Sequence, residues 1–277
     1  MTLSGKDRFF LRLQRWTSWA NTLWFINGAL ILMKFVGRYT CPEITTIRRQ
    51  AKVLLKEVGD RPLLICANHL TTIDSLIINW LLFSWWDYFR QWRLMPWNMP
   101  EYANFGGNPL LRAAGYLGKC IYIVRGGGLT QRRTTLAKIK QLLADGDLIC
   151  IFPEGTRSRT GRINDSPATY SVGEICKEVP HTIILCVYCR GLGQENWGSV
   201  PKRGESFHLE MALFQPTSAD PGRRGAKDIS LQIMGKLCDM ENRFLATRGP
   251  VSTDVRLKAD RNGNPLPMMR QAHDTRQ

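Results

Sequence analysis

Three apolar runs, "LLICA" at 63–67, "DLICIF" at 147–152 and "TIILCVYCRG" at 182–191, are separated by stretches with helical spacing. This alternation constrains the fold more than any other feature. Each run is too short for a helix of ordinary length and is bounded by breakers, which is how strands read. Between them, "TTIRRQAKVLLKEVG" (45–59) spaces Ile47, Val53, Leu54 and Val58 as a helix does, and Arg61-Pro62 ends it. "SLIINWLLFSWW" (75–86) reads as a buried or membrane-facing helix. "LTQRRTTLAKIKQLLADG" (129–146) puts Leu136, Ile139, Leu142 and Leu143 on one face and stops at Gly146. "CIYIV" (120–124) and "FHLEMALFQP" (207–216) read as further strands, with a helix near 228–246. Strands alternating with helices predict an α/β domain, a mixed sheet flanked by helices, over residues 46–248.

The ends differ from this middle. Lys6, Arg8, Arg12 and Arg15 face a single Asp7, and residues 16–36, "WTSWANTLWFINGALILMKFV", then carry one charge, Lys34. About 20 residues can cross a bilayer, yet Thr17, Ser18, Asn21, Asn27 and Gly28 interrupt the run. It therefore either spans the membrane or lies on it, as an uncleaved, membrane-associated helical segment over 1–45 with its basic end cytoplasmic. Residues 249–277 have no periodicity and read as a loose polar tail.

A formal net charge of +15 points to anionic partners. Eight of the nine tryptophans fall in the first hundred residues, beside aliphatic runs, where an indole suits a lipid interface. A nucleic-acid protein would interleave its aromatics with its arginines instead. Eight cysteines, several inside apolar runs, form no disulfide framework and fit a reducing compartment. Cys186 and Cys189 make a lone C-x-x-C without a second pair, so buried thiols are expected there and no metal.

The chemistry gathers in two motifs. "CANHLTTID" sets His69 five residues before Asp74, directly after the first strand. A histidine can accept a hydroxyl proton near neutral pH, and a carboxylate can orient its ring. Five residues do not share a helical face, so the two meet only if His69 sits in a turn ahead of the helix. Thr71 as N-cap with Asp74 at the third helical position would supply that turn, and would also explain Asp74 as a capping residue alone. "IFPEGTRSRTGR" (151–162) follows another strand, with Gly155 for close backbone approach and Arg157, Arg159 and Arg162 as cations. Such a loop suits a phosphate, and it also suits a solvated basic turn. "GKCIYIVRGGG" adds Arg125 before three glycines.

Together, "NHLTTID" (68–74) and "FPEGTRS" (152–158) resemble the glycerolipid acyltransferases typified by 1-acyl-glycerol-3-phosphate acyltransferases, in order and separation, over about residues 60–190. The resemblance implies His69 as general base supported by Asp74, with no acyl-enzyme and no cofactor. It implies that Glu154, Gly155 and Thr156 shape the acceptor pocket and that Arg157, with Arg125, holds its phosphate. The acyl donor would be acyl-carrier protein or acyl-CoA, and the address the cytoplasmic face of the inner (cell) membrane. Partners would be the lipid surface, the lyso-lipid acceptor and the donor, and no nucleic acid. Departures exist: Val124 stands where the family often has aspartate, Gly118 lies one residue too far upstream, and "INDSPATYSVGE" replaces a phenylalanine- and lysine-rich stretch. An acceptor other than 1-acyl-glycerol-3-phosphate, such as another lyso-lipid, thus stays open. A non-catalytic scaffold is the reading outside the enzyme class. His181 and His208 are expected to be structural.

Overall fold

Five consecutive apolar residues with no alternation can be satisfied only by burial on both faces, and Leu63–Ala67 (β1) is buried throughout. The computed structural model describes residues 3–124, 126–164 and 170–247. In it β1 is the centre of a five-stranded sheet of order β2-β3-β1-β4-β5, formed with Trp97–Asn98 (β2), Ile149–Ile151 (β3), Ile183–Gly191 (β4) and Phe207–Phe214 (β5). β2, β3, β1 and β4 run parallel, with Ile65 opposite Cys150 on one side and Leu185 on the other; β5 pairs antiparallel to β4. The sheet is therefore mixed, as the alternation predicts.

The helices are Gly5–Ala20 (α1), Thr22–Ile31 (α2), Ile44–Val58 (α3), Asp74–Leu82 (α4), Trp85–Arg90 (α5), Tyr102–Phe105 (α6), Pro109–Leu117 (α7), Leu129–Ala144 (α8), Ser171–Glu178 (α9) and Gly222–Thr247 (α10). Leu63, Ile65, Ala67, Ile183, Leu185 and Val187 share one core with Ile47 and Ala51 of α3 and Ile77, Ile78 and Leu81 of α4. The intervening Leu64, Cys66, Ile184 and Cys186 are equally buried, as are Ile139 and Leu142 of α8 and Ile175 of α9. The sheet is thus covered on both faces. By its contacts the chain divides after Glu241, within α10. The 249–277 tail lies outside the described residues.

Three local expectations are corrected. "CIYIV" forms isolated bridges, Asn98 with Cys120 and Glu101 with Ile123, rather than a strand. Pro100 lies opposite it and has no N–H to donate, which interrupts the ladder. "SLIINWLLFSWW" is two helices, because Ser84 and Asp87 form a reciprocal capping box that restarts the chain as α5. The 16–36 run is not one helix: α1 ends at Ala20, α2 follows, and Leu32–Val36 is a π-helical turn. Among the described residues no single helix is long and apolar enough to cross a membrane; α1 and Trp24–Val36, bent by 61°, satisfy length and composition only together.

Candidate active site

β1 ends at Ala67, and the next side chain continues its pairing. Asn68 Nδ2 donates to the Cys189 carbonyl (3.0 Å), while the Cys189 N–H donates to Asn68 Oδ1 (2.8 Å). This amide imitates one more residue of the β1–β4 ladder, so the backbone is free to turn while staying fixed at the carboxyl ends of the parallel strands. Ligands of open α/β sheets bind at those ends.

Asp74 opens α4 rather than sitting third in it, and Thr71 is not its N-cap. The reason is visible in the carboxylate: Asp74 Oδ2 accepts from the Leu70 N–H (2.6 Å) and the Thr71 N–H (2.7 Å), and Oδ1 accepts from the Thr71 hydroxyl. A carboxylate in the first helical turn also suits the helix dipole. The turn is wrapped around the side chain, which brings Asp74 Oδ2 to 2.9 Å from His69 Nδ1. Asp74 is buried, whereas the His69 side chain is 21% exposed. With Nδ1 engaged, the tautomer that donates to Asp74 leaves the Nε2 lone pair available, and Nε2 has no hydrogen-bond partner among the described residues. The His69 ring stacks on Phe152 at 4.2 Å between centroids and 19° between planes.

The 152–162 loop meets this turn through backbone as well as rings. The His69 N–H donates to Glu154 Oε1 (2.8 Å), and the His69 carbonyl accepts from the Ser158 N–H (2.9 Å). Both main-chain groups of His69 are therefore held by "FPEGTRS". Gly155 adopts φ +72°, in the left-handed region that favours glycine, and lets the loop reverse immediately after Glu154. Glu154 is 4% exposed, and its Oε2 accepts from the Asn164 N–H (3.4 Å). Burial pushes its carboxyl up to about 7, with Glu241 and Asp74 adding to the rise and the two N–H donors opposing it.

Arg157 lies beside the dyad turn: its Nη1 donates to Thr72 Oγ1 (3.1 Å) and to the Gly198 carbonyl (3.1 Å). Its guanidinium carbon is 5.1 Å from the centroid of the Trp197 ring. The structure thus brings His69, Asp74, Glu154 and Arg157 together. Gly155 is half-buried, and Thr156 and Arg159 are exposed on the same loop. Arg162 is bound instead to Glu241 (3.0 Å), a buried carboxylate that also accepts from the Ile163 N–H and pairs with the buried Arg190 (3.5 Å). Arg125 lies outside the described residues. His181 sits in an exposed turn with φ +63°, and His208 lies on β5. Cys186 and Cys189 are buried in β4, three apart and so on opposite faces of the strand.

Sequence reasoning passed over Asn68, Phe152, Trp197 and Glu241. The first two stand inside the quoted motifs. Trp197 had one available signal, being the ninth tryptophan, far from the other eight. Glu241 had none, because 79 residues separate it from Arg162.

A histidine oriented through one ring nitrogen, in a turn that a cation also bonds at a sheet's carboxyl edge, can take a proton from a hydroxyl whose molecule carries a negative charge. That defines an α/β enzyme built for group transfer to an anionic acceptor or for hydrolysis of one. A family model described as Acyltransferase matches residues 41–189, more than half of the 277-residue chain. The chain belongs to this family, and its activity is acyl transfer. No curated protein matches the chain.

Proposed function

We propose that the protein moves a fatty acyl group from a thioester, acyl-carrier protein or acyl-CoA, to the free hydroxyl of 1-acyl-glycerol-3-phosphate, giving phosphatidic acid. One observation carries the reading: His69, its side chain 21% exposed, is tied to Asp74 through Nδ1 and has no partner for Nε2 among the described residues, in the same turn that Arg157 bonds. His69 Nε2 takes the hydroxyl proton as the oxygen attacks the thioester carbonyl. The tetrahedral intermediate expels the thiolate, which takes that proton back from the imidazolium stabilised by Asp74. The acyl group passes directly, without a covalent enzyme intermediate. Arg157 binds the acceptor's phosphate, and Arg125 is a second candidate for that task. Glu154, which accepts from the His69 N–H, shapes the acceptor pocket with Gly155 and Thr156. No cofactor or metal takes part.

The membrane address is supported by α1, whose amphipathicity is inverted. Gln14, Ser18 and Leu11 face the protein, with Gln14 Nε2 donating to the Tyr116 and Cys120 carbonyls, whereas Phe9, Phe10, Trp16 and Trp19 are exposed. An apolar outer face beside Arg8 and Arg12 suits the anionic cytoplasmic leaflet of the inner membrane.

The test offers purified protein a panel of lyso-lipids with each thioester donor and identifies products by mass. Phosphatidic acid formation that is lost in His69→Ala, with the fold retained, is the expected result. Turnover persisting in that variant, or acylation of phosphate-free acceptors alone, would overturn the reading.

A further inference from the structure

The 192–200 segment follows the matched 41–189 region, yet it closes one side of the candidate site. Gly198 bridges Thr71, the Gly198 N–H donates to the Leu70 carbonyl (3.1 Å), and the Thr72 N–H donates to the Ser199 carbonyl (3.0 Å). This segment therefore pairs with the turn that carries the dyad. It supplies Arg157 with a backbone acceptor, Gly198 O, and an aromatic face, Trp197.

These contacts restrict one flexible side chain. Nη1 is held by two acceptors and the guanidinium lies over the indole, while Nε and Nη2 have no hydrogen-bond partner among the described residues. A guanidinium held in this way keeps one pair of donors for a two-point bond to a phosphate, and loses less side-chain entropy on binding it. A cation over an indole contributes about 0.5–2 kcal/mol depending on exposure. Trp197 is 44% exposed, so its indole does not belong to the core.

We infer that Trp197 is a positioning residue for acceptor specificity: through Arg157 it pre-orients the phosphate receptor and selects phosphate-bearing lyso-lipids over phosphate-free ones. This rests on the proposed reading of Arg157 as the phosphate ligand. It predicts a binding effect, since the phosphate takes no part in the bonds made and broken and is held alike in the ground and transition states.

The experiment measures kcat and KM for 1-acyl-glycerol-3-phosphate and for monoacylglycerol in the full-length protein and in Trp197→Leu, Trp197→Phe, Arg157→Ala and the Trp197→Leu/Arg157→Ala double variant. Trp197→Leu should raise KM for the phosphorylated acceptor about 5- to 20-fold with kcat within twofold, in keeping with the cation–π range. Trp197→Phe should restore most of the affinity, and monoacylglycerol kinetics should not move. In the Arg157→Ala background the Trp197→Leu change should have no further effect, because both act on one interaction. If Arg157→Ala raises KM and Trp197→Leu does not, the inference fails while the reading of Arg157 stands. If Arg157→Ala leaves KM unchanged, both fail. Equal losses on both acceptors, or a fall in kcat alone, would make Trp197 structural and overturn the inference.

Discussion

Asp74 accepts four hydrogen bonds, from His69 Nδ1, the Leu70 and Thr71 N–H groups and the Thr71 hydroxyl, so it is both partner and scaffold. Its replacement should therefore differ from that of His69. Asp74→Asn keeps one acceptor oxygen and turns an NH₂ toward donors, and should lower stability by about 2–3 kcal/mol as well as turnover. His69→Ala leaves three of those bonds in place and should stay within about 1 kcal/mol of the parent in urea unfolding while losing at least 100-fold in rate. Equal destabilisation of both variants would count against the dual role. Glu154 adds a pH signature. Its carboxyl is raised from 4.5 to about 7, so the folded state binds the proton more tightly than the unfolded chain. Stability from this group is full below about 4.5 and is lost as pH rises through about 7, a change of about 3 kcal/mol. Urea unfolding at pH 5 and pH 8 should show that slope, flattened in Glu154→Gln; an identical slope in the variant would exclude Glu154 as its source. His69, Asp74, Glu154 and Arg157 were legible as motif residues, but the wrapping of the turn around one carboxylate was not. A five-residue spacing fits a cap and a dyad alike, and only the backbone path distinguishes them.

The strands β1, β3 and β4 were readable because burial on two faces leaves uninterrupted apolar runs, β5 because Phe207, Leu209 and Met211 alternate with half-buried residues, and α3 and α8 because one buried face repeats with helical period. What escaped was polar and long-range. Lys119, fully buried and at φ +55°, donates from Nζ to the Met95 carbonyl (2.7 Å) and Asp147 Oδ1 (3.2 Å) between the rings of Trp92 and Trp97. Burial lowers its pKa to about 8, against the pull of Asp147. Asp147 also binds Arg15 of α1, and Arg15 reaches Asp145 at 2.9 Å. Hydrophobic periodicity cannot see such a cluster, since it joins a charged position of one helix to loops more than a hundred residues away. It adds a guanidinium anchor to the Gln14 and Ser18 hydrogen bonds that also hold α1. Arg15→Ala leaves Asp147 paired with Lys119 and should loosen α1 selectively. Native-state trypsin cleavage at Arg8 and Arg12 should accelerate several-fold, while amide exchange in β1 and β4 holds its rate. Acceleration throughout the chain would mean that the cluster stabilises the whole domain and not the attachment of one helix.

At the scale of the molecule, a formal charge of +15 coexists with a row of outward aromatic side chains, and the combination narrows the partner more than either property alone. Trp16 is 66% exposed, Trp24 82% and Phe35 71%, and α5, which packs on α2, adds Trp85, Trp86 and Phe89. Water alone would leave that apolar area uncovered, and a purely electrostatic partner would not need it. An anionic lipid surface, the proposed partner, would use both: basic side chains would draw the protein in, and the rings would enter the interface. The two contributions separate by salt, because screening weakens the first and leaves the second. Sedimentation with phosphatidylglycerol-containing vesicles should therefore show binding that weakens but persists at 0.5 M salt, the added salt having shortened the Debye length to a few ångströms. Replacing Trp16, Trp24 and Phe35 together by Ser should cut vesicle affinity at least 100-fold at any salt, as each ring contributes about 1.5–3 kcal/mol when it leaves water. These side chains are exposed and contribute little to the core, so the thermal unfolding midpoint should hold. Undiminished vesicle binding by the triple variant would assign the membrane contact to charge alone and remove the outward face of α1 and α2 from it.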